Sequence, residues 1–543
     1  MRVNGFRYTG AEGPRHDELY SREAQALIVD AVRKFEPDRQ RLLKLRRQKH
    51  REVREDSSKL DYRPETQHIR EEKFKVKHSG DNLNPKLRRR IAELTTPAFN
   101  PLKGFSMLVK ALEAGSLTRE EIERVDVVLA CFEDAIRFTE DNVNPGLLAI
   151  KDAVFGNLPG LSDDIQNLAT LTVRPPGLHN IRASWMKIDG EEPSGYIVTT
   201  TLHALHSGPE LIRKGVGLNL YNAKTQLSEE AELRNRFYGF LQEKLGIPYG
   251  TIDVTDLIET IWGFFERDAI LYEEQDHISA LNFGRYDYLA DLGKAVMHDP
   301  NLMLPALRLL HMDQPFLKAT SVGIVQSAHI HDAYGLGGMV ADLPSKDPEE
   351  NKLIEAIVRA DKEREASPEQ GCDGAWLLNP NERIVRWIKE SFRKYMPGDN
   401  QLHIKHEGVQ ITREDVLNIP KGELTIEDLD VCAEFGLLYR EPWYRNIGAV
   451  PAKKKMHDTA TDEIVEMLLA QWQRHGPVLV DGRSVTKALV KEVVKRARKK
   501  LEESEQALEK YELSARRLAS RVTAPVRYPE FLPEHDRKIV VSN

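Results

Sequence analysis

The residues best suited to chemistry in this sequence are charged side chains at the ends of short apolar, β-branched runs. They are Glu133, Asp134, Arg174, Lys224, Glu259 and Asp287. A buried charge without a partner is costly, so we expect these groups to converge and neutralise one another around one cavity. Carboxylates without clustered Cys or His favour Mg²⁺, or Mn²⁺, over zinc. Any one acid alone also fits a rim salt bridge or a helix N-cap, so the prediction depends on their convergence.

A specific fold is needed to bring these strand ends together. Apolar runs alternate with helical patterns from about residue 124, and we count eight: VDVVLACFED, ATLTVRPPG, SGYIVTTT, GVGLNLYNAK, GTIDVTDLIE, SALNFGRYDY, GLGGMVADLP and DGAWLLNP. Alternating strands and helices predict parallel βα units, and eight of them predict an α/β fold of the closed (β/α)8 TIM barrel type. An open doubly wound sheet is the alternative, but no G-x-G-x-x-G follows the first run.

The remaining sequence is helical on both sides of the predicted barrel. Residues 21–56 show helical periodicity with a heavily charged surface, and the segment 393–425 is rich in Gly, Pro and Asn. We therefore predict an N-terminal helical clasp over residues 1–120, a barrel with the metal site over 121–395, and a C-terminal helical domain over 396–543.

Composition excludes several classes of protein. The 78 Lys and Arg against 85 Asp and Glu give a formal net charge of −7 over 543 residues, which argues against a nucleic-acid partner. Cys131, Cys372 and Cys432 are widely separated, so they indicate a reducing compartment and no disulfide framework. The sequence shows no secretory h-region and no apolar run near the ~20 residues of a membrane helix. We expect a cytoplasmic protein with no membrane partner.

The sequence resembles the malate synthase family, in its shorter A-type form, along nearly its whole length. The motifs that carry the resemblance follow the family's order: RPETQHIRE (63–71), CFED (131–134), TVRPPGLH (172–179), LGIPYGTIDVTDLIET (245–260), LNFGRYDY (281–288), GGM (337–339), ADKEREA (360–366), CDGAW (372–376), MPGDNQL (396–402) and VPAKKKMHDTATDEI (450–464). In this resemblance CFED matches the family's first-strand motif and TVRPPGLH its second.

The resemblance implies a TIM barrel with an N-terminal helical clasp and a C-terminal helical domain over the barrel mouth. It also implies a reaction: Mg²⁺-dependent condensation of the acyl-CoA substrate, acetyl-CoA, with the 2-oxo acid glyoxylate, followed by hydrolysis of malyl-CoA. Carried over by position, Glu259 and Asp287 would bind the metal. Glu133 and Asp134 would order the water around it.

The same resemblance implies roles for the groups that handle substrate. Arg174 would stabilise the enolate oxygen, Asp458 would be the general base, and the backbone amides of Tyr286 and Asp287 would hold the glyoxylate carboxylate. The chemistry fits these residue types, because a thioester methyl group is weakly acidic and needs a base beside a group that stabilises the enolate. Arginine is permanently charged and forked, which suits the second task.

Several positions depart from the family's usual pattern. The sequence has RPPGLH in place of RPRGWH, YNAK in place of a proline-lysine, Tyr286 for a tryptophan, Asn379 for a histidine, and His457 for a glutamate preceded by lysines 453–455. These changes surround the conserved acids and should alter pocket volume and charge. They lead to the hypothesis that the acceptor or the acyl-CoA differs from glyoxylate and acetyl-CoA. The lysines either contact CoA phosphates or are solvated.

Two further functions are compatible with the same residues. One is a lyase or thioesterase that acts on a β-hydroxyacyl-CoA with the same site. The other is a non-catalytic relative that binds or scaffolds. The joint presence of Glu259, Asp287, Arg174 and Asp458 argues against the scaffold, because a binding protein does not need a buried acidic cluster.

Overall fold

The computed structural model describes residues 3–100, 103–104, 106–113, 125–504, 511–524 and 536. The strands are β1 (Phe6–Tyr8), β2 (Ala92–Pro97), β3 (Val127–Cys131), β4 (Thr170–Arg174), β5 (Met186–Ile188), β6 (Leu218–Asn222), β7 (Ile252–Ile258), β8 (Ile278–Phe283), β9 (Tyr334–Val340), β10 (Gly374–Leu377), β11 (Val450–Ala452) and β12 (Lys455–His457).

The α-helices connect and surround these strands. They are α1 (His16–Leu19), α2 (Arg22–Glu55), α3 (Gln67–Glu71), α4 (Ser106–Glu113), α5 (Glu140–Phe155), α6 (Gly195–Arg213), α7 (Ser228–Leu245), α8 (Ile261–Glu273), α9 (Arg285–Ala295), α10 (Pro315–Ile330), α11 (Pro348–Ala366), α12 (Glu382–Arg393), α13 (Arg413–Val416), α14 (Ile426–Tyr444), α15 (Thr459–His475), α16 (Lys487–Glu502) and α17 (Tyr511–Val522). Among the described residues, no helix is both long and apolar enough to cross a membrane.

Eight parallel strands close into a barrel in the order β2, β3, β4, β6, β7, β8, β9 and β10, with β10 pairing back to β2. The predicted (β/α)8 TIM barrel is therefore confirmed. All residues of its strands are buried except Met339 of β9, which is partly buried, because helices cover the outside and side chains fill the inside.

One of the eight predicted strands is wrong and one observed strand is not predicted, so the count of eight is unchanged. The run SGYIVTTT lies in helix α6, and strand β2 (AELTTP) was not predicted. The β-branched run is buried on all sides of its helix, so it lacks a polar face that would reveal the helical period. In β2 the inward-facing Glu93 is buried and pairs with Arg90. Because these two residues are charged, the sequence of this segment resembles a polar loop more than a buried strand.

The missed strand moves the start of the barrel. Strand β2 lies inside the segment 1–120 that the sequence assigns to the clasp, so the barrel begins near residue 92. The motifs CFED and TVRPPGLH consequently end the second and third barrel strands. The predicted boundary at residues 120–121, and residues 505–510 of the predicted C-terminal helix, lie outside the described residues.

The two-residue period of the strands aims the functional side chains at the barrel axis. In β7, Thr255 accepts a hydrogen bond from Arg90 inside the barrel, and Leu257 packs with Tyr221 there. Glu259 is the next residue on the same face, just beyond the strand, so its carboxylate faces the barrel mouth. The alternate residue Asp256 faces the outer helices, where it pairs with Arg234 of α7.

The long helix α2 fastens the loops at the barrel mouth with buried polar side chains. Arg39 donates to the carbonyl oxygen of Leu178 at 2.8 Å, and Arg46, seven residues later on the same helix face, donates to that of Lys224 at 2.7 Å. Arg46 also forms a buried ion pair with Glu230 of α7. The helix thus holds the loops after two different strands.

The C-terminal domain consists of helices α14 to α17 and the hairpin β11–β12. Helix α14 begins at a capping box formed by Thr425 and Asp428, within the C-terminal segment for which helices are predicted. Helix α15 packs against both α14 and α9, the helix that follows the sixth barrel strand. Residue Asp458, which immediately precedes α15, is thereby brought to the barrel mouth.

Replacing Arg46 with methionine should destabilise the protein by about 3–5 kcal/mol, because Glu230 is left as an uncompensated buried charge. Denaturant unfolding measures the change. The exposed neighbour Arg47→Met is the matched control and should change the unfolding free energy by less than about 0.5 kcal/mol. Equal unfolding midpoints for the two variants would contradict the proposed anchoring.

Candidate active site

Three carboxylates from three strand ends meet at the barrel mouth. Asp134, Glu259 and Asp287 are buried, and one oxygen from each lies within 4.8 Å of the others. They follow β3 and β7 and begin α9, so they are far apart in sequence and close only because the barrel closes. The predicted convergence of the strand-end acids is confirmed for these three residues.

Two buried cations lie among these carboxylates. The Arg174 guanidinium donates to Asp134 at 2.7 Å and to Glu259 at 3.0 Å. The Lys224 ammonium lies 2.7 Å from an Asp287 oxygen and 3.0 Å from Asp134. Nearby carboxylates raise the pKa of both Arg174 and Lys224 well above their usual values despite burial, so both side chains carry a positive charge.

Lys224 has a larger part in the site than the sequence indicated. Its backbone N–H donates to Glu259 at 2.8 Å, while its side chain contacts all three acids of the cluster. The residue adopts a left-handed backbone conformation with φ of 55°, which a non-glycine residue rarely adopts without support. Arg46 of α2 supplies part of that support by binding the Lys224 carbonyl oxygen.

The start of helix α9 forms another wall of the site. Gly284 is required there because a Cβ atom at this position would lie 2.6 Å from the Cβ of Glu259. The first-turn amides of Tyr286 and Asp287 have no acceptor within the helix, and the described residues provide no side-chain cap. A helix N-terminus of this kind suits a carboxylate ligand. The Tyr286 ring is half-buried and stacks under the Arg285 guanidinium, 4.8 Å away.

Glu133 lies beside the cluster, with its own partners. It accepts a hydrogen bond from the backbone N–H of Gly177 at 2.8 Å and lies 3.3 Å from the His179 ring. Burial, and then the charge of Asp134, raise the pKa of Glu133 to about 8. Burial and nearby cations lower the pKa of His179 well below its usual value, so the ring is neutral. Glu133 therefore ties the loop after β4 to the site.

Asp458 approaches the cluster from the C-terminal domain. It is buried at the N-cap of α15, yet among the described residues its carboxylate caps no amide of that helix. Burial, and then the charge of Asp134, raise its pKa to about 6, while Lys224 and Arg174 oppose that shift. A carboxylate near neutrality in pKa, close to two fixed cations, is suited to general base catalysis.

The residues just before Asp458 contact both the C-terminal domain and the barrel. His457 contacts the Ala452 carbonyl oxygen at 2.9 Å, and burial lowers its pKa to about 4, so the ring is neutral. The preceding lysines all form ion pairs: Lys453 with Glu434, Lys454 with Glu350, and Lys455 with Asp342. These pairs favour a structural role over the predicted contact with CoA phosphates.

The donor set fits a hard divalent cation. All three clustered ligand groups are carboxylates, which Mg²⁺ and Mn²⁺ prefer. Three acids face two cations, so the cluster is short of positive charge. In keeping with that shortage, burial and the charge of Asp134 raise the pKa of Asp287 well above its usual value. Asp134 belongs to the cluster itself, whereas the sequence placed it among the groups that order water.

Comparison with known proteins agrees with these features. Residues 170–419 match the family model of the malate synthase TIM barrel domain, and residues 423–535 match that of the malate synthase C-terminal domain. Malate synthase from Myxococcus xanthus (strain DK1622) is 33% identical over 540 residues, which cover 97% of this chain and 95% of the relative.

Two further relatives cover most of the chain. Malate synthase from Streptomyces clavuligerus is 35% identical over 88% of this chain and 87% of its own length. Malate synthase A from Escherichia coli (strain K12) is 31% identical over 90% of this chain and 88% of its own length.

Replacing Lys224 with methionine should lower the melting temperature without metal and increase the stabilisation that added Mg²⁺ provides. The variant loses the ammonium group that neutralises the three carboxylates, so a bound cation has more charge to neutralise. Saturating metal at about 100 times the Kd contributes about 3 kcal/mol of stability.

Thermal unfolding with and without MgCl₂ measures both effects, and Lys455→Met, which breaks a more exposed ion pair, is the control. An Mg²⁺-induced shift that is equal in Lys224→Met, Lys455→Met and the unmodified protein would contradict binding at this cluster.

Proposed function

The chain belongs to the malate synthase family, and we propose that it condenses acetyl-CoA with glyoxylate and hydrolyses malyl-CoA to malate and CoA. One observation carries the proposal. A carboxylate from the C-terminal domain, Asp458, lies beside the barrel's cluster of three acids and the guanidinium of Arg174. A base, an enolate-stabilising cation and a site for a hard metal are the parts that this reaction needs.

The first step assigned to this site is proton abstraction. The Asp458 carboxylate takes a proton from the methyl group of acetyl-CoA, and the electron pair moves onto the thioester oxygen to form an enolate. Arg174 donates hydrogen bonds to that oxygen as its negative charge develops. Arginine suits this task because its charge is permanent. The carboxylates of Asp134 and Glu259 hold the Arg174 guanidinium in place, at N–O distances of 2.7 and 3.0 Å.

The second step forms the carbon–carbon bond. The backbone amides of Tyr286 and Asp287 hold the glyoxylate carboxylate, which places the aldehyde carbon to receive the enolate carbon. As this bond forms, the π electron pair of the aldehyde moves onto its oxygen, which takes up a proton from water and becomes the hydroxyl group of malyl-CoA. Glu259 and Asp287, together with Asp134, would hold Mg²⁺, which when bound polarises the aldehyde and carboxylate oxygens of glyoxylate. Attack of water on the malyl thioester then releases CoA and malate.

A reducing compartment, the cytoplasm, suits this chain. Cys131, Cys372 and Cys432 are free and buried. Free buried thiols are typical of proteins that are kept reduced. The partners of the proposed reaction are small molecules, an acyl-CoA and a 2-oxo acid.

A thiol-release assay with acetyl-CoA and a panel of 2-oxo acids tests the proposal. We expect rapid CoA release with glyoxylate, dependent on Mg²⁺, and slower release with larger 2-oxo acids. A lyase would leave the thioester intact, and a preference for a larger acid would support the hypothesis of a different acceptor. Release without any 2-oxo acid would indicate a thioesterase.

Replacing Asp458 with asparagine should lower kcat by about 10² to 10⁴-fold, because asparagine keeps the shape but cannot accept the methyl proton. Thiol release measures the loss. The matched control is Asp430→Asn, a partly exposed acid of the same domain that pairs with Arg496. A kcat for Asp458→Asn equal to that of the control would exclude Asp458 as the base.

The rate should also depend on pH through Asp458. The base must be deprotonated, and burial beside Asp134 raises its pKa to about 6, so kcat/KM should fall as pH drops below about 6. The limiting slope is tenfold per pH unit. A pH profile from 5 to 8 measures it, and the limb should vanish in Asp458→Asn. A profile that stays flat down to pH 5 would contradict the assignment.

A further inference from the structure

A pair of hydrogen bonds joins the C-terminal domain directly to the strand end that carries Asp134. Thr459, the residue after Asp458, donates its backbone N–H to the Asp134 carbonyl oxygen at 3.3 Å and its hydroxyl to the same oxygen at 3.0 Å. Thr459 is buried, with 2% of its surface exposed. The residue next to the base is therefore bound to the backbone of an acid in the cluster.

A second hydroxyl holds this contact from the other side. The Tyr439 hydroxyl, from α14, lies 2.8 Å from the Thr459 hydroxyl and 2.9 Å from the Gly448 carbonyl oxygen. A Cβ atom on Gly448 would lie 2.4 Å from the Ile136 backbone, so this segment packs directly on the loop after β3. Thr459 donates its hydroxyl proton to the Asp134 carbonyl oxygen, and the single Tyr439 proton is shared between the Thr459 hydroxyl and the Gly448 carbonyl oxygen, so two of the three contacts are satisfied at a time.

The start of α15 needs such an anchor. An aspartate at an N-cap normally fixes its helix by accepting from the first-turn amides. In the described structure the Asp458 carboxylate makes no such bond, which leaves it available to substrate. The position of the helix start, and hence of Asp458, then depends on other contacts, and those of Thr459 are adjacent to it.

We propose that Thr459, held by Tyr439, is a positioning residue that sets the distance between Asp458 and the methyl group of acetyl-CoA. This inference rests on the proposed role of Asp458 as the base. Proton transfer requires the base and the carbon it deprotonates to lie close together. A displacement of about 1 Å in such a geometry lowers the rate by about 10²-fold.

The test uses the full-length protein with Mg²⁺ and the variant Thr459→Val, which keeps the side-chain volume and the backbone N–H but removes the hydroxyl. We expect kcat for CoA release to fall about 10- to 100-fold while both KM values stay within about twofold. The isotope effect on kcat with trideuterated acetyl-CoA should rise because proton transfer becomes slower relative to the other steps. Thr459→Ser, which restores the hydroxyl, should recover most of the rate.

Two comparisons separate positioning from general destabilisation. Thr200→Val alters a buried threonine of α6, a helix that contributes no residue to the carboxylate cluster, and should leave kcat and the isotope effect unchanged. Tyr439→Phe leaves the Thr459 side chain intact but removes its second anchor, and should lower kcat less than Thr459→Val does.

Three results would overturn the proposal. They are an unaltered kcat and isotope effect in Thr459→Val, a kcat in Thr459→Ser as low as that in Thr459→Val, or an unaltered kcat in Tyr439→Phe. If Thr459→Val does not fold, the serine and phenylalanine variants decide by the same criteria. The variant Asp458→Asn tests the role of Asp458 as the base separately from the positioning role of Thr459. Full activity of Asp458→Asn would reject Asp458 as the base and the positioning role with it. Loss of activity in Asp458→Asn together with unaltered activity in Thr459→Val would reject only the positioning role of Thr459.

Discussion

Charge balance inside the barrel mouth is the constraint on which the rest of the structure depends. Three buried carboxylates, Asp134, Glu259 and Asp287, face the two cations Arg174 and Lys224 within hydrogen-bonding distance. Separating either cation from its partners would leave buried charge uncompensated, which is expensive. The same shortage of positive charge makes the cluster a site for a hard cation, so stability and metal binding arise from one arrangement.

In the proposed mechanism, the barrel and the C-terminal domain supply different functional groups. The barrel supplies the acids, Arg174 and the amides at the start of α9, while the C-terminal domain supplies Asp458. In the proposed mechanism, proton abstraction therefore requires the two units to be held at a defined separation. The contacts between Thr459 and the Asp134 backbone lie at that junction, where a small displacement has its largest effect on the reacting atoms.

Much of this arrangement could be predicted from the sequence, and the errors have physical causes. Strand alternation predicts the barrel and the inward direction of Glu259, because the side-chain period of a strand is fixed. The sequence pattern does not predict the first barrel strand, because its buried Glu93 faces the axis, and it wrongly predicts a strand in α6, because all sides of the β-branched run are buried. Both errors concern buried residues whose surroundings include distant parts of the chain, such as Tyr221 and Trp376 around Glu93.

The same limit applies to the site itself. The acids and Arg174 could be predicted from their positions after apolar runs and from the family resemblance. The central position of Lys224 could not, because it depends on a left-handed backbone that Arg46 supports from a distant helix. Thr459 carries no local signal either, since its importance comes only from the strand end on which it docks.

The buried arginines of α2 also bear on the order in which the molecule assembles. Helix α2 is synthesised before the partners of Arg46. The carbonyl group that Arg46 binds, that of Lys224, lies 178 residues after Arg46, and the carboxylate partner, Glu230, lies 184 residues after it. Before those residues emerge, the guanidinium group cannot form these two contacts. Arg46 can therefore take up its buried position only after residues 224–230 have been synthesised.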